Sequence, residues 1–335
     1  MDTDMNYITR SVAVLLCSLL LATSAGAVDW NPDKNIEIVI GTGHGGGNDR
    51  VGRTIHKLLT DLKLVTVNSS VMNKAGGSGF IAWSYLNLQS GNGNYLATST
   101  PSLLTSHIVG SASFTYSGVT PIAQLYAETN AFIVKADSKI QSAKDLINRI
   151  KSSPDSFTTT IGTSSGNNNH IALGMLARAV GGDSRKLKVV VFKSSSEATT
   201  AVLGGHVDLA IVAASSRRKD VEAGTLKALA VASSQRLSGP YANVPTWREL
   251  GVNVISAYWI GIIGPRGLSR EKIDFWDQVF AKMTRSDDWK SYLERFSLED
   301  TYLDSKGSAA FLEKQYMEYK ETLIDLGLAK TDAGK

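Results

Sequence analysis

The chain has 335 residues, with 35 lysines and arginines against 31 aspartates and glutamates, and a formal charge of +4 at pH 7. The charge is spread along the sequence, which excludes a basic nucleic-acid stripe and leaves a slight bias toward small anions. The single cysteine, Cys17, lies near the N-terminus, so disulfides, thiolate metal sites and cysteine nucleophiles are excluded from the rest of the chain.

The opening stretch "YITRSVAVLLCSLLLATSAGAVDW" has one basic residue, Arg10, then an apolar run from Val12 to about Ala22, then Ala25 and Ala27. This order predicts a secretory signal peptide over residues 1–27, cleaved after Ala27, and the run is too short to span a bilayer. Leu16 before Cys17 is not the small residue that a lipoprotein site needs. A lone arginine predicts export in the unfolded state, so the ligand is met outside, in the periplasm.

A chain of this length predicts two cores of roughly 100 to 200 residues each. Strands are expected at "NIEIVI", "LVTVNSSV", "YLATST", "AFIVKA", "TTTIGT", "KVVVF", "VDLAIVAA", "LKALAVAS" and "YWIGIIGP". Between them lie helical patterns such as "NDRVGRTIHKLLTDL", "SAKDLINRI", "NHIALGMLARAVG" and "EATTAVLGG", with Ser142 and Ser196 as expected N-caps. Alternation of this kind is the pattern of mostly parallel sheets covered by helices. From Ser269 onward three helices are expected, the last with Phe311, Leu312, Tyr316, Tyr319, Leu323 and Leu326 on one stripe that packs back onto the first lobe. The expected organisation is a discontinuous lobe 1 (28–130 plus 254–335), a continuous lobe 2 (131–253) and a cleft at the two crossings.

The loop "GTGHGGGNDR" follows the first strand and opens a helix. Gly41, Gly43 and Gly46 satisfy G-x-G-x-x-G, so a dinucleotide is one candidate and a carboxylate the other. The free N–H groups of Gly45, Gly46, Gly47 and Asn48, with the helix dipole, favour either anion. The second strand ends "VNSSVMNK" without the acid that would hold a ribose; Lys74 and Ser69 leave NADP a weak possibility, against which unfolded export counts. No lysine follows Gly46 or Gly47, which excludes a P-loop.

Four further strand ends carry hydroxyls, amides and small residues. They are "NKAGGSGF" (Gly77, Ser78), "STPS" (Thr100, Ser102), "GTSSGNNNH" (Thr163, Ser164, Ser165, Gly166, Asn167) and "FKSSSE" (Ser194, Ser195, Ser196). Singly these are ordinary turns. Together at one sheet edge they predict a site for an anion, with Thr42, Gly43 and His44 completing the first loop. Asp49 is expected to complement the helix dipole and bond a neighbouring loop, His44 to touch or gate a ligand, His170 and Lys193 to brace their loops, Tyr258 to line the cleft and Trp259 to pack at the hinge. No Ser, His and Asp lie in an arrangement that the sequence can justify as a triad, and the histidine spacing supplies no metal site, so neither enzyme, metal nor cofactor is expected.

Eight motifs in order, "GGGND", "NKAGGSG", "IGTSSG…H", "FK", "LGGHVD", "AGTLKALAVASSQR", "VPTWRELG" and "YWIGIIGPRG", run from Asn35 toward the C-terminus. Through them the chain resembles the extracytoplasmic solute receptors of tripartite tricarboxylate transporters, the TctC or Bug family. The resemblance implies a two-lobed, type II-like α/β periplasmic binding protein, monomeric, that closes on a small organic carboxylate and hands it to membrane permease subunits. It implies a carboxylate held between the first glycine loop and a lobe 2 loop by backbone N–H groups, hydroxyls and water. A receptor feeding a sensor is the alternative, and an exported NADP oxidoreductase a distant one. Three departures are expected to alter the pocket mouth: Gly41, Gly43 and His44 where the family carries prolines, a shortened loop with Asn167 to Asn169, and Val212 before Ala213 where many members have Asp.

Overall fold

The computed structural model of the protein describes residues 30–45, 47–162, 165–192 and 195–330; the expected signal peptide lies outside them. Strand β1 (Ile36–Ile40) is almost wholly buried and pairs in parallel with β2 (Ser69–Asn73) and β3 (Tyr95–Ser99). Helix α1 (Gly47–Asp61) connects β1 to β2, and α2 (Phe80–Asn87) connects β2 to β3. The three-to-four spacing of Val51, Ile55, Leu58 and Leu59 puts one face of α1 in the core.

The middle of the molecule is a single strand of 16 residues, β4 (Thr120–Lys135). Up to Thr129 it pairs antiparallel with β9 (Ala257–Gly264), and with β10 (Glu299–Leu303) on its other side. From Asn130 on, its partners are β7 (Leu209–Ala213) and β8 (Leu226–Val231). Beyond β7 the sheet continues in parallel through β5 (Thr158–Gly162) to β6 (Lys188–Phe192), giving the order β2-β1-β3-β9-β4-β7-β5-β6. The architecture is α/β as expected, but the sheet is mixed rather than mostly parallel. The strand that carries the chain across and the strand that brings it back run in opposite directions, and because they pair with each other the centre is antiparallel.

Helices α3 (Ser102–Ile108), α4 (Ala143–Ser152), α5 (Asn168–Ala179), α6 (Ser195–Leu203) and the short α7 (Arg218–Glu222) complete the covering layers. Ser142 caps α4 by accepting from the Asp145 N–H, whereas Ser196 lies inside α6 and is not its cap. One core gathers Ile36, Ile38 and Ile55 with Trp276, Phe280 and Trp289 from α8 (Arg270–Arg285) and α9 (Asp287–Phe296). Another gathers Phe132, Leu146, Leu173 and Trp247.

The C-terminal segment has the three expected helices, with β10 interposed. Its "EDTYL" is acidic and half-exposed, and it is a strand because the free side of β4 accepts it. The last helix, α10 (Ser305–Asp325), buries Leu312, Tyr319 and Leu323 against Leu104 and Ile108 of α3 and also against Ile171 of α5. It therefore touches both halves, not the first alone. Arg178 pairs with Glu321 at 2.7 Å in a half-exposed position, which adds at most about 1 kcal/mol. Trp259 packs edge-on against Phe311 of the same helix, with ring centroids 5.6 Å apart. Among the described residues no helix is long and apolar enough to cross a membrane.

Because Leu323 is fully buried at this junction, Leu323→Ala is expected to lower unfolding free energy by about 2–5 kcal/mol in urea titrations. A loss below about 1 kcal/mol would show that α10 is not part of the cooperative unit.

Candidate functional site

A cavity of about 770 Å³ opens where β1, β3, β4 and β7 end or change partners. Gly41 and Thr42 follow β1, and Asn48 sits in the first turn of α1; Ser78 follows β2, and Thr98, Thr100 and Ser102 cluster around the end of β3. Glu128 and Asn130 come from the middle of β4 and Tyr258 from β9, while Ser165 to Asn169 and Ala213 face them from the second half.

Close backbone approach shapes the first half of this wall. A Cβ on Gly41 would stand 2.7 Å from the Gly79 Cα, so the loops after β1 and β2 lie against each other at a distance that only glycine allows. The second loop turns through the left-handed region at Gly76, Gly77 and Gly79, and also at Ser78 (φ 56°), which lines the cavity. A non-glycine residue in that region is held there by its surroundings.

Asp49 locks the first loop from behind. Its Oδ2 accepts from the Gly45 N–H at 3.0 Å and from Arg53 Nε at 3.0 Å, and its Oδ1 accepts from Asn73 Nδ2 at 2.9 Å. The same amide donates to the Thr42 carbonyl at 3.0 Å. The Arg53 bond, with Gly45 and Asn73, holds the buried carboxyl well below the usual carboxylate range. Arg53 also reaches His44 Nδ1 at 3.1 Å, so His44 is drawn away from the cavity and is 77% exposed.

The facing loop is braced differently. Asn167 caps α5 by accepting from the His170 N–H at 3.0 Å, and the Gly166 N–H donates to His170 Nδ1 at 3.1 Å. That donor fixes Nδ1 as an acceptor, so the ring is neutral. Burial lowers its pKa to about 4. Burial likewise pushes the Tyr258 phenol up to about 12, while a hydrogen bond shared with Thr100 works the other way.

The lining leaves polar atoms unpaired. Thr42 Oγ1, Asn48 Oδ1, Thr98 Oγ1, Asn130 Oδ1 and both side-chain polar atoms of Asn168 are buried without a hydrogen-bond partner. Such atoms are costly in a finished core; others, among them Asn94 Oδ1 and Thr159 Oγ1, lie outside the lining. Among the described lining residues Glu128 is the one charged side chain. Burial raises its pKa, opposed by Arg50 and by a hydrogen bond from Ser215. Among the described residues no group of three or more metal-ligating side chains occurs.

Of the residues expected from sequence, Thr42, Asn48, Ser78, Thr100, Ser102, Ser165, Gly166, Asn167, Ala213 and Tyr258 come together here. Gly43, His44 and Gly45 do not line the cavity, because the loop tip folds out onto Arg53, and Gly47 and Gly77 do not line it either. Gly46, Thr163, Ser164, Lys193 and Ser194 lie outside the described residues, as do the side chains of Ser195 and Ser196. Val212 is buried in the core on the opposite face of β7 from Ala213, so that departure does not reach the pocket mouth. Sequence reading missed Glu128, Asn130, Thr98 and Asn168. The signal for the first two was present: in "QLYAETNAFIVK" the polar residues Gln124, Glu128 and Asn130 fall on one face of a largely apolar strand.

Two outcomes follow from this geometry. Gly41→Ala forces a methyl into the Gly79 backbone and is expected to lower stability by about 1–3 kcal/mol in denaturant titration; an unchanged midpoint would mean that the loops are free to part. His170 in the unfolded chain takes up a proton near pH 6.5, but in the folded protein only near 4. Its contribution to stability is thus complete above pH 6.5 and lost as pH falls toward 4, by an amount of order 3 kcal/mol. His170→Gln should abolish that part of the acid slope, and wild-type pH dependence in the variant would contradict the assignment.

The family profile described as "Tripartite tricarboxylate transporter family receptor" matches residues 62–328. A Cupriavidus necator protein, named "UPF0065 protein in gbd 5'region", is 25% identical over 97% of this chain and 98% of its own length. Among solved structures, a TctC solute binding protein from Polaromonas superposes with a TM-score of 0.78 at 25% identity, covering 88% of this chain and 99% of that one. An R. palustris protein solved with adipate superposes with a TM-score of 0.72 at 22% identity, covering 90% and 99%. The profile match spans most of the chain and the fold agrees, so this protein belongs to the tripartite tricarboxylate transporter receptor family of periplasmic solute-binding proteins.

Proposed function

We propose that the protein captures a small organic carboxylate between its two halves and delivers it to a tripartite tricarboxylate-type membrane permease after export and removal of residues 1–27. The observation that carries this reading is the lining itself: hydroxyls, amides and the N-terminal turn of α1, with buried polar atoms left unpaired, facing one another across about 770 Å³. A carboxylate held by several neutral donors needs no buried cation. Adipate in a protein of the same fold at 22% identity agrees with this ligand class.

Lobes 28–130 plus 254–335 and 131–253 turn about β4 near Thr129 and Asn130, and about the return segment at Ser256. There the Asn130 N–H donates to the Ser256 carbonyl at 3.1 Å and the Ser256 N–H to the Ala232 carbonyl at 2.9 Å. A ligand contacting both walls favours the closed arrangement by its differential affinity for it, and the closed surface is what a permease reads.

Thermal unfolding against adipate, malate, citrate and shorter carboxylates is the test. A true ligand at about 100 times its Kd should add roughly 2.7 kcal/mol of stability, scaling with concentration. Stabilisation by NADP with none from any carboxylate would overturn the reading.

A further inference from the structure

A cavity meant for a ligand with acid groups alone would not be expected to place a carboxylate as its one charged lining residue, yet Glu128 is there. Glu128 and Asn130 are two residues apart on β4, so they project from the same face of the strand into the cleft. Glu128 Oε1 lies 4.0 Å from where a Cβ on Gly47 would stand, which places it beside the first turn of α1. Its hydrogen bond from Ser215 Oγ is long, 3.4 Å. Arg50 is near enough to feel the charge but makes no ion pair with it within 4.0 Å; its guanidinium lies 4.7 Å above the Phe296 ring and reaches the Gly45 carbonyl at 3.5 Å.

Two neighbouring acceptors lack a donor. Asn130 is 1% exposed and Asn48 is 7% exposed, and the Oδ1 of each has no partner. Asn130 Nδ2 is already committed to Ser256 Oγ at 3.0 Å, which leaves its buried oxygen as the unpaired acceptor beside the cavity. Glu128, Asn130 and Asn48 therefore present acceptors, and a ligand made only of carboxylates brings more acceptors. A protonated amine brings three N–H donors and a compensating charge. The turn of α1 next to Glu128 favours the opposite sign. A positive and a negative pole side by side suit a head group in which ammonium and carboxylate share one carbon.

We propose that the ligand is an amino carboxylate, its ammonium seated on Glu128 and Asn130 and its carboxylate at the first turn of α1. The inference rests on the carboxylate-receptor reading and narrows it. The remaining lining mixes Thr98, Ser102 and Asn168 with Trp83, Pro101 and Val109 and carries no charge, so it discriminates among side chains without demanding a second charge.

Calorimetric titration of the mature protein at neutral pH with matched pairs tests this: aspartate and succinate, glutamate and glutarate, 2-aminoadipate and adipate. In at least one pair the amino member should bind at least 10-fold more tightly than the compound without nitrogen. Glu128→Gln, which keeps size and shape, should weaken that amino member at least 10-fold and leave its partner unchanged or tighter. Equal binding within every pair, or tighter binding of the plain dicarboxylates, overturns the amino-group assignment while the carboxylate reading stands. An amino member that binds Glu128→Gln as tightly as wild type overturns it too, and this comparison remains decisive if affinities are modest. No binding by any member of either series overturns the reading beneath it and the inference with it.

Discussion

Strand β4 carries the constraint on which the rest of the molecule depends. Its first ten residues belong to one sheet and its last six to the other, so one stretch of backbone sets how the halves meet. Where its partners change, the strand is buried except at Glu128, which is partly exposed. The cleft is the place where β4 changes partners, and Glu128 and Asn130 line it there.

The walls on either side are stiffened by hydrogen bonds that stand behind the lining. Asp49 ties Gly45, Arg53 and Asn73 together beneath the first glycine loop, and His170 ties Gly166 to α5 beneath the facing loop. Both braces depend on a fixed protonation state, an ionised carboxylate in one half and a neutral imidazole in the other. Fixing these loops in advance removes ordering cost at the moment of binding, which is what lets uncharged donors hold an anion effectively. Helix α10, packed on α3 and α5 together, adds a contact between the halves, with Leu323 behind Gly166 of the facing loop.

Much of this was legible in the sequence, for identifiable reasons. The glycine loop and the β1–α1 unit declared themselves because a buried apolar strand, a run of glycines and an amphipathic helix follow one another without interruption. Thr100, Ser102, Asn167 and Tyr258 were found because strand ends can be read from apolar runs. The outward fold of His44 could not be read, since it depends on Arg53, nine residues on, bonding both His44 and Asp49. β10 was missed because its pairing comes from β4, about 170 residues earlier, and not from its own acidic, half-exposed sequence. Glu128 and Asn130 escaped notice because "AETN" interrupts an apolar run and looks like a strand end, when it is the centre of a strand shared by two sheets.

The central claim is that the acid group of the ligand rests on the N-terminal turn of α1 while the rest of the molecule reaches β4 and the loop before α5. A crystal structure of the protein with a bound ligand tests it most directly. The account predicts a carboxylate within hydrogen-bonding distance of the first turn of α1 at Asn48, with at least one further contact to the segment 165–169. A ligand whose acid group lies outside that turn, or which touches one half alone, would contradict it.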